Sequence, residues 1–307
     1  MPSDATNIDA TLLESGAWYT PLPALEFTLC EGVDNARFLQ GQLSCNLNSL
    51  STSQSLRGAL CNLKGRVITN LRVLLDDRGI LLLTQYAMRE KLIGTLDKYR
   101  VFFKTSLSPV HNGMLALGLG GPDFASVAES MGIALPTHLN QTCLHSGLRI
   151  ICLTQSPLNK FPRFLCVVDT TDAIAQQTIQ QLMQQLLILP DDLWQLADMR
   201  DGEVNIRPEQ TELFTPQLLN YDINGVIDYK KGCYTGQEIV ARMHYRAEAK
   251  RRLYHCKVAT GVTYKSGDLS SYEDTIAQLQ LADGSIESLI ILNVGDAANN
   301  PDITGFS

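Results

Sequence analysis

No run in the sequence reaches the ~18 consecutive apolar residues that a membrane-spanning helix needs, so no transmembrane segment is predicted. Met1-Pro2-Ser3-Asp4 lacks the basic and apolar regions of a secretory signal, and no arginine occurs before Arg37, which speaks against a mitochondrial transit peptide. The expected location is the cytoplasm, away from membranes. The eight cysteines (Cys30, Cys45, Cys61, Cys143, Cys152, Cys166, Cys233 and Cys256) have no Cys-x-x-Cys spacing. Neither a zinc ribbon nor a disulfide framework is indicated, and no group of cysteines is spaced to hold an iron–sulfur cluster. No metal site is predicted. The glycine run Gly118-Leu119-Gly120-Gly121 lacks the third glycine of a dinucleotide loop and continues into Pro122 and Asp123, so it reads as a plain turn. Basic residues are the minority, 25 against 32 acidic for a net charge of −7. This argues against the chain as a whole gripping a phosphate backbone, and the local run Arg242, Arg246, Lys250, Arg251, Arg252 reads as a solvated face.

What is present is an ordinary globular composition: 307 residues, 45% of them apolar, enough for about two domains with a sizeable core. Val67 to Leu75 and Ile80 to Leu83, separated by Asp76-Asp77-Arg78-Gly79, form a β-hairpin pattern. Helical spacing follows from about Ala87 to Tyr99. Met114 to Leu119 reads as a strand, Phe124 to Met131 as a helix, and Ala173 to Leu187 as a further helix capped by Thr171 or Asp172 and stopped by Pro190. Cys152 and Cys166 fall in short apolar runs expected to be buried strands. Strands of antiparallel type alternating with helices predict an α+β protein, not a doubly wound parallel sheet. There is no internal repeat and no low-complexity linker.

The stretch richest in chemistry is Lys230-Lys231-Gly232-Cys233-Tyr234-Thr235-Gly236-Gln237-Glu238. Two glycines allow tight turning around one thiol, and Glu238, Ile239, Val240, Arg242, Met243 and Arg246 continue at helical spacing. Cys233 is thereby placed ahead of a helix N-terminus, whose free N–H groups favour negative charge. If the Lys231 and Cys233 side chains converge, the ammonium would favour a thiolate able to attack an electrophile. If they diverge, it would not. His244 and His255 lie downstream without an assigned role.

Read as far as Lys250-Arg251-Arg252, this block resembles the signature of the YgfZ-type folate-binding proteins, which are similar to the T-protein, the aminomethyltransferase of glycine cleavage. Four other blocks agree, in family order: Phe38 to Leu43, Cys61 to Arg66, Lys98 to Phe102, and Phe214 to Gln217, the last leading to Asn220. Together they span roughly residues 25 to 255. The resemblance implies a ring of α/β subdomains around a central folate pocket over residues 1–250, closed by a shortened C-terminal β-barrel-like domain over 251–307. It also implies tetrahydrofolate or a one-carbon derivative as cofactor, with Trp194 positioned to contact it, since an indole can stack on a pterin. The matching place for a second aromatic holds Leu25, with Phe27 two residues on.

The inherited function is support of the assembly or repair of iron–sulfur enzymes, with downstream effects on tRNA modification. Partners would be iron–sulfur assembly proteins or client enzymes, without direct nucleic-acid binding. Lys231 and Cys233, with Gly232, Tyr234, Gly236, Gln237 and Glu238, would form the functional motif. The alternative is aminomethyl or other one-carbon transfer. Against it, the acidic pair that the resemblance places in aminomethyltransferases falls here on Thr69 and Asn70, neither of which can hold the charge or proton that such a transfer requires. Those enzymes also lack the block from Lys231 to Glu238.

Overall fold

The computed structural model describes residues 8–153, 155–246, 249–259, 275–298, 300 and 302–306. Three sheets organise it. The hairpin reads through as expected: Val67–Asp76 pairs antiparallel with Gly79–Gln85, Arg72 opposite Leu83 and Asp76 opposite Gly79. Leu56–Cys61 joins one side of this hairpin, and Leu25–Glu31 and Ser106–Val110 join the other, giving five strands. A second, six-stranded sheet runs in the spatial order Leu187–Ile188, Trp18–Pro21, Met114–Gly120, Phe164–Asp169, Leu148–Cys152, Thr142–His145. Because Trp18–Pro21 lies in one sheet and Leu25–Glu31 in the other, the chain crosses between them within a few residues and returns at Met114. All pairings are antiparallel except that of Leu187–Ile188 with Trp18–Tyr19.

The alternating strands bury one set of side chains between these two sheets. Phe27, Leu29, Leu81 and Leu83 meet Trp18, Ile151, Leu165 and Val167, and the helix Asp191–Arg200 adds Leu193, Trp194 and Leu196 to the same core. Burying such side chains contributes roughly 1.5–3 kcal/mol each before the entropy of ordering is set against it. Cys152 and Cys166 are buried in strands of the second sheet, as their apolar surroundings predict.

Two helix boundaries differ from the periodicity. Ala87 has φ 63°, a left-handed conformation that cannot enter an α-helix, so that helix is Arg89–Arg100. The Ala173 helix is capped by the Asp172 carboxylate but ends at Met183. Leu187 instead donates its N–H to the Ala17 carbonyl in a short parallel pairing, a long-range contact that no local pattern reports. Pro190 is the N-cap of the next helix.

The C-terminal region forms a four-stranded sheet ordered Thr275–Gln280, Ile286–Asn293, Arg251–Val258, Ile303–Gly305. The expected barrel is not seen among the described residues, because the two outer strands do not pair with each other and a barrel requires that closure. Residues 260–274, 299, 301 and 307 of the expected 251–307 domain lie outside the described residues, as do residues 1–7. No helix among the described residues is long and apolar enough to cross a membrane.

This sheet is tied to the helix Asp191–Arg200 by one buried carboxylate. Glu287 accepts from Arg200 Nε and Nη2 at 3.0 and 2.7 Å and lies 2.9 Å from His255 Nε2. Burial pushes its carboxyl upward, but the hydrogen bonds from Arg200 and His255 outweigh this and hold it at about 2 instead of 4.5. A depressed carboxylate contributes stability that is present above its unfolded value and is lost as pH falls through the folded one. Acid unfolding monitored by circular dichroism should therefore show stability falling between about 4.5 and 2, and Glu287→Gln should be less stable at pH 7 with a flatter profile across that window. Identical profiles would contradict this.

Candidate functional site

The cysteine loop is assembled from three of the sequence blocks. Asp228 Oδ1 accepts the N–H groups of Lys230 and Lys231 at 2.7 and 3.1 Å, which turns the chain before the motif. Lys231 then points inward. Its ammonium donates to the main-chain carbonyls of Gln40 and Cys45 at 2.7 and 2.9 Å and to that of Leu43, and lies 4.9 Å from the centre of the Tyr234 ring. Thr235 binds the same segment, through N–H to the Gly41 carbonyl at 3.1 Å and through Oγ1 to Gln42 Oε1 at 3.0 Å. Phe38 to Leu43 is therefore the platform on which the loop sits.

Cys61 to Arg66 forms the other wall. Gly236 has φ 82°, and a Cβ there would lie 2.3 Å from the Asn62 carbonyl oxygen. One at Gly65, with φ 69°, would meet Ile239 at 2.9 Å. Both glycines are required by conformation and close approach. Gly232 is not: its φ is not positive and a Cβ would meet open space. The predicted helix follows as Gln237–Arg246, with the Gln237 side chain accepting from the Tyr234 N–H at 3.2 Å and Glu238 in the first turn, where its charge complements the helix dipole.

The alternative left open by the sequence is thus resolved. Lys231 is buried and bound to carbonyls, whereas Cys233 is exposed, so the two side chains diverge. Desolvation draws Lys231 down to about 8 from 10.5. Of the eight cysteines Cys233 is the exposed one; Cys143 is intermediate and the rest are buried. His244 stacks on Tyr229 with ring centres 3.7 Å apart. In the basic run, Arg252 makes a two-pronged pair with Asp222 at 2.9 and 3.0 Å and Arg251 donates to the Ile291 carbonyl at 3.2 Å, so these two belong to the fold and not to a solvated face.

A second feature is a pair of adjoining cavities: a smaller one of about 100 Å³ between the two large sheets, and a larger one of about 310 Å³ between the helix Asp191–Arg200 and the C-terminal strands at Ile276 to Leu279. Leu22, Leu25, Gln85, Trp194, Asp198, Glu203, Val204 and Asn205 line both. Leu25 is thus at the cavity, whereas Phe27 is packed into the core and lines neither. Trp194 is a wall residue held tightly: it meets Trp18 edge-on at 6.4 Å, the Arg163 guanidinium lies 4.4 Å from its ring centre, and Gly118 packs so close that a Cβ there would fall 2.2 Å from the indole. None of residues 230–238 lines either cavity, so the thiol loop and the cavity are separate features.

The side chains that give the cavity its polarity were not among those singled out from sequence. Arg163 is buried between Asp201, at 2.6 Å, and Asp198, at 2.9 Å, and Asn205 donates to the other Asp198 oxygen at 3.1 Å. Burial raises the Asp198 carboxyl to about 6, against the pull of Arg163. Arg57 pairs with Glu203 at 2.6 Å. Asn70 lines the smaller cavity, its Oδ1 accepting the Ile206 N–H at 2.9 Å, while Thr69 faces the opposite side of its strand, is fully buried, and donates to the Asn70 carbonyl. Asp198 stands four residues from Trp194 on one helix, a spacing that puts both on the same face. That signal was available in the sequence; the ion pairs to Arg163 and Arg57 were not.

No family model matches the chain. It is 27% identical over 301 residues to the tRNA-modifying protein YgfZ of Escherichia coli O127:H6, covering 95% of this chain and 88% of that one. The YgfZ of Yersinia enterocolitica is 28% identical over 278 residues, covering 88% and 82%. In three dimensions it matches the glycine cleavage system aminomethyltransferase T of Bartonella henselae with a TM-score of 0.68 at 15% identity, covering 93% of this chain and 81% of the other. Five blocks in order, a similarity that runs nearly end to end and a shared architecture agree: the chain is similar to the YgfZ proteins and has the α+β fold of the glycine cleavage T-protein.

Proposed function

We propose that the protein binds tetrahydrofolate, or a one-carbon derivative of it, in the central cavity and supports the assembly or repair of iron–sulfur enzymes, with downstream effects on tRNA modification. The observation that carries the folate part is the make-up of that cavity, read together with the resemblance. Its larger part falls within the size range of small-molecule sites. Leu22, Leu25 and Trp194 offer apolar surface to a flat ring, and Asp198 and Glu203 offer acceptors for ring N–H groups. Titration of tetrahydrofolate against wild type and Trp194→Ala should show binding by the first and at least a several-fold loss in the second, since a ring contact contributes about 0.5–1.5 kcal/mol beyond area burial. Equal affinities would remove Trp194 from the site, and no binding by either folded protein would remove the folate reading.

The tRNA part is supported by the similarity to the tRNA-modifying YgfZ proteins, and the iron–sulfur part by the resemblance of the motif from Lys231 to Glu238 to the signature of that family. Within it Cys233 is the reacting group and Lys231 a positioning residue that holds the loop through three carbonyls. Native-state alkylation followed by mass spectrometry should modify Cys233 before the other cysteines. Lys231→Met should lower the melting temperature, because each buried carbonyl left without a donor costs about 1–3 kcal/mol, while Cys233 stays accessible. In a strain lacking its own homologue, Cys233→Ala should fold normally yet fail to restore iron–sulfur enzyme activity, whereas Cys256→Ala should restore it. Full rescue by Cys233→Ala would reduce the motif to a structural turn.

One observation favours the alternative, folate-dependent aminomethyl transfer: Asp198 is a cavity carboxylate raised to about 6, a value suited to proton transfer near neutrality. Against it, Asn70 occupies the cavity face of its strand, and Thr69 is turned away. An assay for methylene-tetrahydrofolate from an aminomethylated carrier protein should give no turnover; rates of about 1 s⁻¹ or more would promote the alternative.

A further inference from the structure

The smaller cavity contains a cation that makes no ion pair in direct contact among the described residues. Leu56–Cys61 and Val67–Asp76 pair with Arg57 opposite Arg72 and Ala59 opposite Asn70, so both guanidinium groups and the Asn70 amide project from the same sheet face. All of them but Ala59 line the smaller cavity of about 100 Å³. Arg57 is neutralised by Glu203 at 2.6 Å. Among the described residues Arg72 has no carboxylate within 4 Å; its Nη1 donates to two neutral groups, Ser55 Oγ at 3.0 Å and Asn140 Oδ1 at 2.9 Å, which aim the guanidinium, while the charges of Glu203 and Asp198 act on it from longer range. Burial, and then the neighbouring Arg57, draw Arg72 down to about 10, so holding this charge in place is costly.

We infer that Arg72, with the Asn70 amide beside it, forms an anion subsite for a small, singly charged carboxylate in the smaller cavity, beside the proposed folate site. The class of ligand follows from the surroundings. A guanidinium presents parallel N–H donors matched to a carboxylate, and the Asn70 oxygen is already occupied by the Ile206 N–H, which leaves its amide nitrogen to donate. The volume admits an acid of the size of formate or acetate. Asp198 and Glu203 line the same space and would repel a dianion such as sulfate, so one negative charge is the limit that the cavity sets. The subsite uses the position of the proposed folate pocket but not its occupancy, so it can be tested without folate.

Binding of ¹³C-formate and acetate to the full chain, followed by NMR or calorimetry, should be saturable, with sulfate at least tenfold weaker. Arg72→Gln should weaken carboxylate binding at least tenfold. Because that change can also disturb the contacts to Ser55 and Asn140, a second variant isolates the charge. Asn140→Asp sets a carboxylate against Arg72 Nη1 with nearly unchanged shape, in a left-handed conformation (φ 63°) that aspartate tolerates, and should abolish carboxylate binding without loss of thermal stability. Carboxylate affinity unchanged in folded Asn140→Asp, or no carboxylate binding by wild type, would overturn the inference. Tetrahydrofolate titrated separately distinguishes the two readings: folate binding without carboxylate binding rejects only the subsite, and the reverse rejects only the folate pocket. Displacement of formate by tetrahydrofolate but not by tetrahydropteroate, which lacks the glutamyl tail, would show that Arg72 takes the tail's carboxylate and would overturn a separate ligand.

Discussion

Arg163 is the side chain on which the central cavity depends. It rises from the six-stranded sheet region, is almost completely buried, and is held by Asp198 and Asp201, while its guanidinium lies 4.4 Å from the centre of the Trp194 ring. The helix that supplies Trp194 and Asp198 to the cavity is thus oriented by charge as well as by apolar packing. A buried ion pair of this kind adds little net stability over a well-packed apolar replacement, but removal of one partner costs about 3–5 kcal/mol, because the other charge is left uncompensated. Two acids against one base also leave a local excess of negative charge. Burial raises Asp198 against the pull of Arg163, and burial with the neighbouring Arg57 lowers Arg72, on which Glu203 and Asp198 act in the opposite sense.

The thiol loop follows a different design. Here a lysine that the sequence set beside a cysteine serves as a three-carbonyl brace, so that the same ammonium cannot also act at the thiol. Rigid support and chemical exposure are divided between adjacent residues: Lys231 and Tyr234 are buried, and Gly232 and Cys233 are exposed. The division explains why the first two blocks of the sequence accompany the third. Phe38 to Leu43 supplies two of the three carbonyls and Cys45 just beyond it the third, and Asn62 and Gly65 supply the close wall against Gly236 and Ile239.

Much of the architecture was legible because it is local. The hairpin at Asp76 to Gly79, the strand at Met114 and the helix after Gly236 each carry their own periodicity and turn residues. What failed was long-range: the strand pairing of Leu187 with Ala17, the left-handed Ala87, and the sheet that stands where a closed barrel was expected. At the candidate site the blocks and their order were readable, and Cys233 and Trp194 were identifiable by type. Their surroundings were not, since Arg57, Arg72, Asp198 and Glu203 look like ordinary surface charges until distant strands set them around one space. Direction was likewise invisible, for alternate residues in a turn can point either way, and only the carbonyls of residues 40–45 decide where Lys231 goes.

The most direct test of the account is a structure determined with tetrahydrofolate bound. The pterin should lie in the cavity against Leu25 and Trp194, within hydrogen-bonding distance of Asp198 or Glu203, with Cys233 remaining on its exposed loop. A ligand seated instead at the loop from Lys230 to Glu238, or a cavity that stays closed to folate at saturating concentration, would contradict it.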